Sequence, residues 1–362
     1  MKYGLIYDAA NCHITGDYLR QSIPQTQGIP IDMSLFKANV NIERLLRTIC
    51  EPGANPDVLM HEIGSHGLPN GLATVSIPTG CLDIDTFGWT NFRLKWAMLF
   101  DYVFTWHPSY VGKFKEAGHP RVCAIPHAID GRRFAADISQ DRRYDVGFVG
   151  NFGLPQYWRR DRVNLVLSSK FLMNDFRKKY NDEEMVEIYR SSRIVVNVSR
   201  AEFPQEANMR CYEAMAGGAL LITEIPTELT EWGFREGEHF IGWRSEQEIP
   251  ALVSQFLNDS ARRNTIARAG HERTIAHFTY QQCVERMTAF INKDEGRLFA
   301  PARNWREENV LLLYLSYYYR FQEFGAVVEE FKALRHSNPK AYLKGLPMVL
   351  KSLRRVIKSS LL

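Results

Sequence analysis

Opposite charges and glycines cluster in one short run of this sequence, Glu206-Ala-Asn208-Met-Arg210-Cys-Tyr-Glu213-Ala-Met-Ala-Gly217-Gly218, which leads into the apolar stretch Ala219-Leu-Leu-Ile-Thr223. At about 100° per residue, a helix places Glu206, Arg210, Glu213 and Gly217 on one narrow face. Such a face is not a plain core face. It fits an exposed i,i+4 pair of Glu206 with Arg210 followed by a helix-ending diglycine. It also fits a site in which a carboxylate accepts a pair of ribose hydroxyls while Arg210 and the helix N-terminus face a diphosphate. The second arrangement accounts for glycine sharing the face with the charges.

Upstream, Tyr144-Asp-Val-Gly-Phe-Val-Gly150-Asn151-Phe-Gly153 reads as a strand ending in a glycine-containing turn, after which Arg159, Arg160 and Arg162 open a helical pattern. Glycine lets backbone approach a ligand closely, and a helix N-terminus beside arginines favours phosphate oxygens. An ordinary βα turn with solvated arginines gives the same pattern. The GxGxxG spacing of a nicotinamide site is absent.

These residues need parallel strands to hold them. Short β-branched runs alternate with helical patterns, which predicts βαβ units and an α/β fold with sheets covered on both faces. Strands are expected near 3–7, 57–61, 73–77, 102–106 and 122–125, and a second series at 144–150, 194–198 and 219–223. The polar stretch 132–143 separates the two series. It predicts an N-terminal domain over 1–138 and a second domain over 139–292, with a ligand cleft between them at the carboxyl ends of the strands. From 293 to 362 strand patterns stop, and the segment reads as a helical tail packing on the second domain or on a partner. Its end, 342–362, mixes Lys344, Lys351, Arg354, Arg355 and Lys358 with leucines and valines. That pattern suits a basic amphipathic helix lying on an anionic membrane surface or packing with a solvated basic face.

The run Asn208-x-Arg210-x-x-Glu213-Ala-x-Ala-x-Gly218 before an apolar strand resembles the spore-maturation-protein-like (CgeB-type) branch of the GT-B glycosyltransferases. The segment Ile125-Pro-His127-Ala-Ile-Asp130-x-x-x-Phe134 is similar to the interdomain segment of such enzymes, with His127 where asparagine is usual. The resemblance covers roughly residues 57–290. It implies two Rossmann-like domains with a C-terminal helical extension, and transfer of a sugar from a nucleotide-sugar donor to a glycan, lipid-linked or protein acceptor in bacterial surface polysaccharide or glycan biosynthesis. It implies Glu213 as the ribose ligand, with Gly150, Asn151, Arg159, Asn208 and Gly217 around the donor. Arg210 would face the phosphates and assist catalysis. His61, after a strand, would contact the sugar, and Glu62, Asp83 or Asp85 would supply a base in an inverting enzyme. In the wider retaining group an acidic residue precedes the ribose glutamate by eight positions; here Gln205 stands there. The same fold also serves sugar-nucleotide epimerases and non-catalytic sugar-nucleotide-binding scaffolds.

Composition excludes other classes. A net charge of +4 over 362 residues is too mild for a nucleic-acid partner. The six cysteines lack a CxxC pair, which argues against zinc and against a disulfide framework. The N-terminus reads as a first strand rather than a signal peptide, and the expected location is cytoplasmic, peripheral on the membrane at most. Beyond the pair Asp83-Ile-Asp85 no acidic cluster stands out as a metal site, so a metal-independent enzyme is expected, with no cofactor beyond the nucleotide sugar as substrate.

Overall fold

A computed structural model describes residues 1–9, 23, 27–63, 65–84, 86–134, 138, 141–200, 202–203, 206–294 and 299–360, with backbone alone from 353 onward. The strands are β1 (Tyr3–Tyr7), β2 (Gly28–Asp32), β3 (Val58–Glu62), β4 (Thr79–Asp83), β5 (Tyr102–Thr105), β6 (Val122–Ala124), β7 (Tyr144–Gly147), β8 (Ser192–Val196), β9 (Leu220–Thr223) and β10 (Ile241–Gly242). The helices are α1 (Ile42–Ile49), α2 (Thr90–Trp96), α3 (Val111–Glu116), α4 (Trp158–Ser168), α5 (Asp182–Arg190), α6 (Met209–Ala216), α7 (Thr227–Glu231), α8 (Ile249–Asn258), α9 (Ser260–His277), α10 (Tyr280–Ile291), α11 (Glu307–Arg320), α12 (Phe324–Ser337) and α13 (Pro339–Ser360). The chain divides into two compact units, Met1–Ile125 with Val284–Leu362, and Pro126–Cys283. These divisions fall earlier in the chain than the sequence boundaries at 138 and 292.

The first unit carries a six-stranded parallel sheet in the order β2-β1-β3-β4-β5-β6. Two of its strands differ from the sequence expectation. The run 73–77 forms no strand; it buries Ala73 and Val75 in a turn, and the strand is the next segment, β4, buried along its whole length. β2 escaped notice because it contains Pro30, which is tolerated since β2 is an edge strand and the proline faces outward.

The helical tail packs into this first unit rather than on the second. Tyr314, Tyr317, Tyr318, Val327 and Leu334 share one core with Leu45, Leu68, Leu72 and Trp96. Tyrosine brings large apolar area and a hydroxyl that needs a partner when buried. Here Tyr317 donates to the Ser65 carbonyl at 2.6 Å, Tyr318 to the Leu68 carbonyl at 2.7 Å, and the Tyr314 hydroxyl accepts from the Leu72 amide at 3.1 Å. Each loop carbonyl or amide so engaged would otherwise be a buried polar group without partner. Among the described residues no helix is long and apolar enough to cross a membrane.

The second unit holds a four-stranded parallel sheet, β10-β9-β8-β7. Side chains alternate across it as strand geometry requires. Val195 and Leu221 face Cys211, Tyr212 and Met215 of α6. Ile194, Val196, Leu220 and Ile222 face Val163 and Leu167 of α4 and Val253 and Phe256 of α8. A sheet covered on both faces leaves polar chemistry only at its edges and strand ends.

Candidate functional site

At the carboxyl end of β8 the apolar run Ile194-Val-Val gives way to Asn197, fully buried. Its backbone is fixed by the Ile222 carbonyl at 2.9 Å and by the Trp243 indole N–H at 3.1 Å. Its side-chain oxygen accepts from Arg210 Nη1 at 2.9 Å and Asn208 Nδ2 at 3.1 Å, while its amide donates to Thr223 at 3.1 Å. Arg210, in the first turn of α6, also donates through Nε and Nη2 to the Val149 carbonyl at 3.1 and 3.0 Å, and its guanidinium lies 4.6 Å from the Phe148 ring centre. One arginine thereby ties the turn after β7 to the end of β8. Gly150 is required by this approach, since a Cβ there would come within 2.5 Å of Arg210 Nη2.

A second guanidinium joins the first. Arg160 of α4 donates to the Asn151 carbonyl and lies 5.2 Å from the centre of the same Phe148 ring and 3.9 Å from that of Tyr157. Burial, then the neighbouring positive charge of Arg210, pulls its pKa down to about 10. Among the described residues neither Arg160 nor Arg210 forms a salt bridge. Arg159 behaves oppositely: Glu246 at 2.6 Å and Glu224 at 3.1 Å hold it. A cavity of about 140 Å³ opens beside Arg160, lined also by Tyr157, Arg159, Ser199, Arg200 and Glu202 among others. It lies at the carboxyl ends of β7 and β8, the usual ligand position of a parallel sheet.

Glu213 sits one turn after Arg210 and is half-buried. Burial pushes its pKa up to about 7, against the pull of Arg210 and with a push from Asp182. Gly217 is the C-cap at the far end of α6, where a Cβ would meet Tyr189 Cβ at 2.8 Å, so it serves the contact with α5. Arg142 caps that end, donating to the carbonyls of Arg190 at 2.7 Å, Gly218 at 2.8 Å and Ser192 at 3.0 Å. Glu206 precedes Asn208, the N-cap of α6, and therefore lies outside the helix. The single charged helical face drawn from the sequence thus reduces to Arg210 and Glu213.

In the first unit His61 is buried, with Nε2 3.2 Å from the Tyr317 hydroxyl and its ring stacked on Phe100. Burial pulls its pKa down to about 4, with a hydrogen bond to the Ile6 backbone opposing. Asp83 is locked by Arg93 at 2.6 Å and Thr86 at 2.5 Å. Asp85 and Gln205 lie outside the described residues. Among the described residues no group of three or more His, Cys, Asp or Glu could hold a metal ion.

Of the triplet Arg159, Arg160 and Arg162 the sequence pattern favours Arg159, and it gives no site role to Arg200, Tyr157 or Asn197. The triplet of arginines was visible, but which one turns inward depends on helix phase against the sheet. Asn197 carried a usable signal, a lone amide closing a buried apolar strand.

Residues 130–289 match the sequence profile of a family described as glycosyl transferase-like. Comparison with curated proteins gives no match. Among solved structures, Anabaena HepE in complex with UDP and glucose is similar with a TM-score of 0.56 at 12% identity, over 81% of this chain and 100% of that one. An alpha-glucosyltransferase in complex with UDP and a 13-mer DNA gives 0.54 at 13%, over 80% and 99%. Sucrose-phosphate synthase from Thermosynechococcus elongatus gives 0.51 at 12%, over 81% and 98%. Likeness at such identities shows the fold: α/β with parallel sheets in the GT-B manner and a helical C-terminal region.

Proposed function

We propose that this protein is a glycosyltransferase whose nucleotide-sugar donor is held in the second unit, with the diphosphate on Arg160 and Arg210 and the ribose on Glu213. The observation that carries this is the pair of buried guanidiniums, Arg160 and Arg210, both over Phe148 and both without a salt bridge. Two buried guanidiniums without a direct ion pair, offset only in part by Asp161 and Glu213, are costly, and a dianionic ligand at the strand ends offsets that cost. The matched profile and the UDP held by similar structures support the same donor class.

Arg210 and Arg160 are preorganised, by Asn197 and the Val149 carbonyl in one case and by Tyr157 and the Asn151 carbonyl in the other. They stabilise charge growing on the departing diphosphate, so the reaction needs no divalent cation. Arg159, neutralised by two glutamates, borders the cavity, and Gly217, at the far end of α6, keeps that helix packed on α5.

The acceptor is a glycan, a lipid-linked saccharide or a protein. On α13 Leu343 and Leu350 are 65% and 50% exposed, with Lys344 and Lys351 beside them. This stripe suits an anionic membrane surface, and with it a peripheral cytoplasmic location and a lipid-linked acceptor. Thermal unfolding of the full chain with UDP, GDP, ADP and their sugar conjugates, without divalent cations, tests the donor assignment. Stabilisation that disappears in Arg160→Met is expected, and indifference to every nucleotide would refute it.

A further inference from the structure

A left-handed backbone is costly for any residue with a Cβ and is kept only where surrounding structure enforces it. Among the described residues just two non-glycines adopt it, Trp89 with φ 65° and Gln322 with φ 59°. Trp89 and the corner that carries Gln322 come from distant parts of the chain and meet at one place. The Arg320 guanidinium lies 3.6 Å from the Trp89 ring centre, and the Phe321 ring stands edge-on to Trp89 at 6.0 Å. Trp89 follows β4 and precedes α2; residues 320–323 form the corner between α11 and α12. The same corner grips the loop after β3, where Glu323 accepts from the Gly67 amide at 3.0 Å and pairs with His66 at 3.5 Å. The tail therefore builds part of the carboxyl edge of the first sheet, where open parallel sheets take their ligands.

Gln322 takes its left-handed turn in ending α11, where the Glu323 amide donates to the Tyr318 carbonyl at 2.9 Å, whereas the strain at Trp89 does not serve burial. The Trp89 side chain is 43% exposed, and Phe92, one turn on, is 44% exposed. A part-exposed indole backed by the Arg320 guanidinium has the chemistry of a saccharide platform. The apolar C–H face of a pyranose stacks on the ring, and its hydroxyls accept from the guanidinium N–H groups of Arg320 beside it. We infer that Trp89, with Arg320 and the Arg320–Glu323 corner, forms an acceptor-saccharide subsite in the first unit, completed by the helical tail. It deepens the glycosyltransferase assignment and rests on it.

Trp89→Gly is the sharpest variant, because glycine takes the left-handed conformation freely and the substitution removes the ring without straining the fold. Saturation-transfer NMR of the full chain with methyl glycosides of glucose, galactose, mannose and N-acetylglucosamine, and with cellotetraose, reads the subsite directly. UDP and GDP stabilisation is measured on the same samples. Transfer to at least one saccharide is expected in the wild type, reduced fivefold or more in Trp89→Gly and largely kept in Trp89→Phe, with nucleotide stabilisation equal in all three. Equal transfer in wild type and Trp89→Gly, or no transfer to any saccharide, overturns the subsite while leaving a nucleotide-stabilised protein. Loss of nucleotide stabilisation in the wild type itself would instead strike the donor assignment.

Discussion

His61 and Asn197 both stand at the carboxyl end of a central buried strand, one in each unit, yet their surroundings run in opposite directions. Around His61 the protein neutralises: burial keeps the imidazole uncharged, Asp83 is matched by Arg93, and tyrosines of α11 close over the loop carbonyls. Around Asn197 it concentrates charge: Arg210 and Arg160 crowd one aromatic ring, and Glu213 nearby is held with its pKa near 7. Strand ends of one architecture can thus be closed by packing or lined with cationic side chains. What separates them is whether each buried charge finds its partner inside the chain.

The strongest way to break this contrast is Arg210→Ala. Turnover should fall about a hundredfold or more, the scale of a preorganised electrostatic group, and Arg210→Lys should not restore it because a point charge cannot span Val149 and Asn197. Steady-state kinetics on protein with an unchanged circular dichroism spectrum checks this. Wild-type turnover in Arg210→Ala would show that the guanidinium is only a strap between β7 and β8.

Next in size is a pair of opposite pH responses. The depressed pKa values of His61 and His119, both about 4, stabilise the first unit above pH 6.5, and that stability drains away as pH falls towards 4. Each contributes of order 3 kcal/mol at most. Glu213 works the other way: its raised pKa stabilises the second unit below about pH 4.5, and the contribution is lost as pH rises through about 7. Hydrogen exchange at β3 and β8 between pH 4 and 8 should show protection moving in opposite directions. Parallel changes in both strands would dissolve the contrast.

Glu213→Gln sharpens it further. On the proposed donor assignment ribose hydroxyls donate to the carboxylate and favour its ionised form, so donor affinity should rise with pH up to about 7 in the wild type. The glutamine variant should bind more weakly by roughly 1 to 3 kcal/mol and lose that pH dependence. Calorimetric titration between pH 5.5 and 8 decides it; an identical pH profile would remove Glu213 from the ribose.

The smallest expected effects lie in the tail. Tyr317→Phe removes a donor from the Ser65 carbonyl and should cost about 1 kcal/mol in denaturant unfolding. Replacing Leu343 and Leu350 by serine, which leaves the buried Val349 in place, should reduce sedimentation with phosphatidylserine vesicles without moving the unfolding midpoint. Unchanged vesicle binding would assign the stripe to plain solvent exposure.

By itself the sequence determined the alternation of strand and helix and the GT-B resemblance, and it offered Gly150 and Arg210 as separate site candidates. Those follow from local periodicity and from glycine and arginine types at fixed spacing, which physics reads over short distances. It placed a strand at 73–77 because apolar runs of that length suit a turn or a strand alike, and it set Glu206 and Gly217 on one helical face because periodicity carries no information about where a helix starts and stops. Only the tertiary structure decided that Arg160 rather than Arg159 turns inward, that the tail's tyrosines close the first unit, and that Arg320 meets Trp89. Each of these depends on which buried polar group finds a partner far along the chain, and that matching exists only once the sheets have brought the segments together.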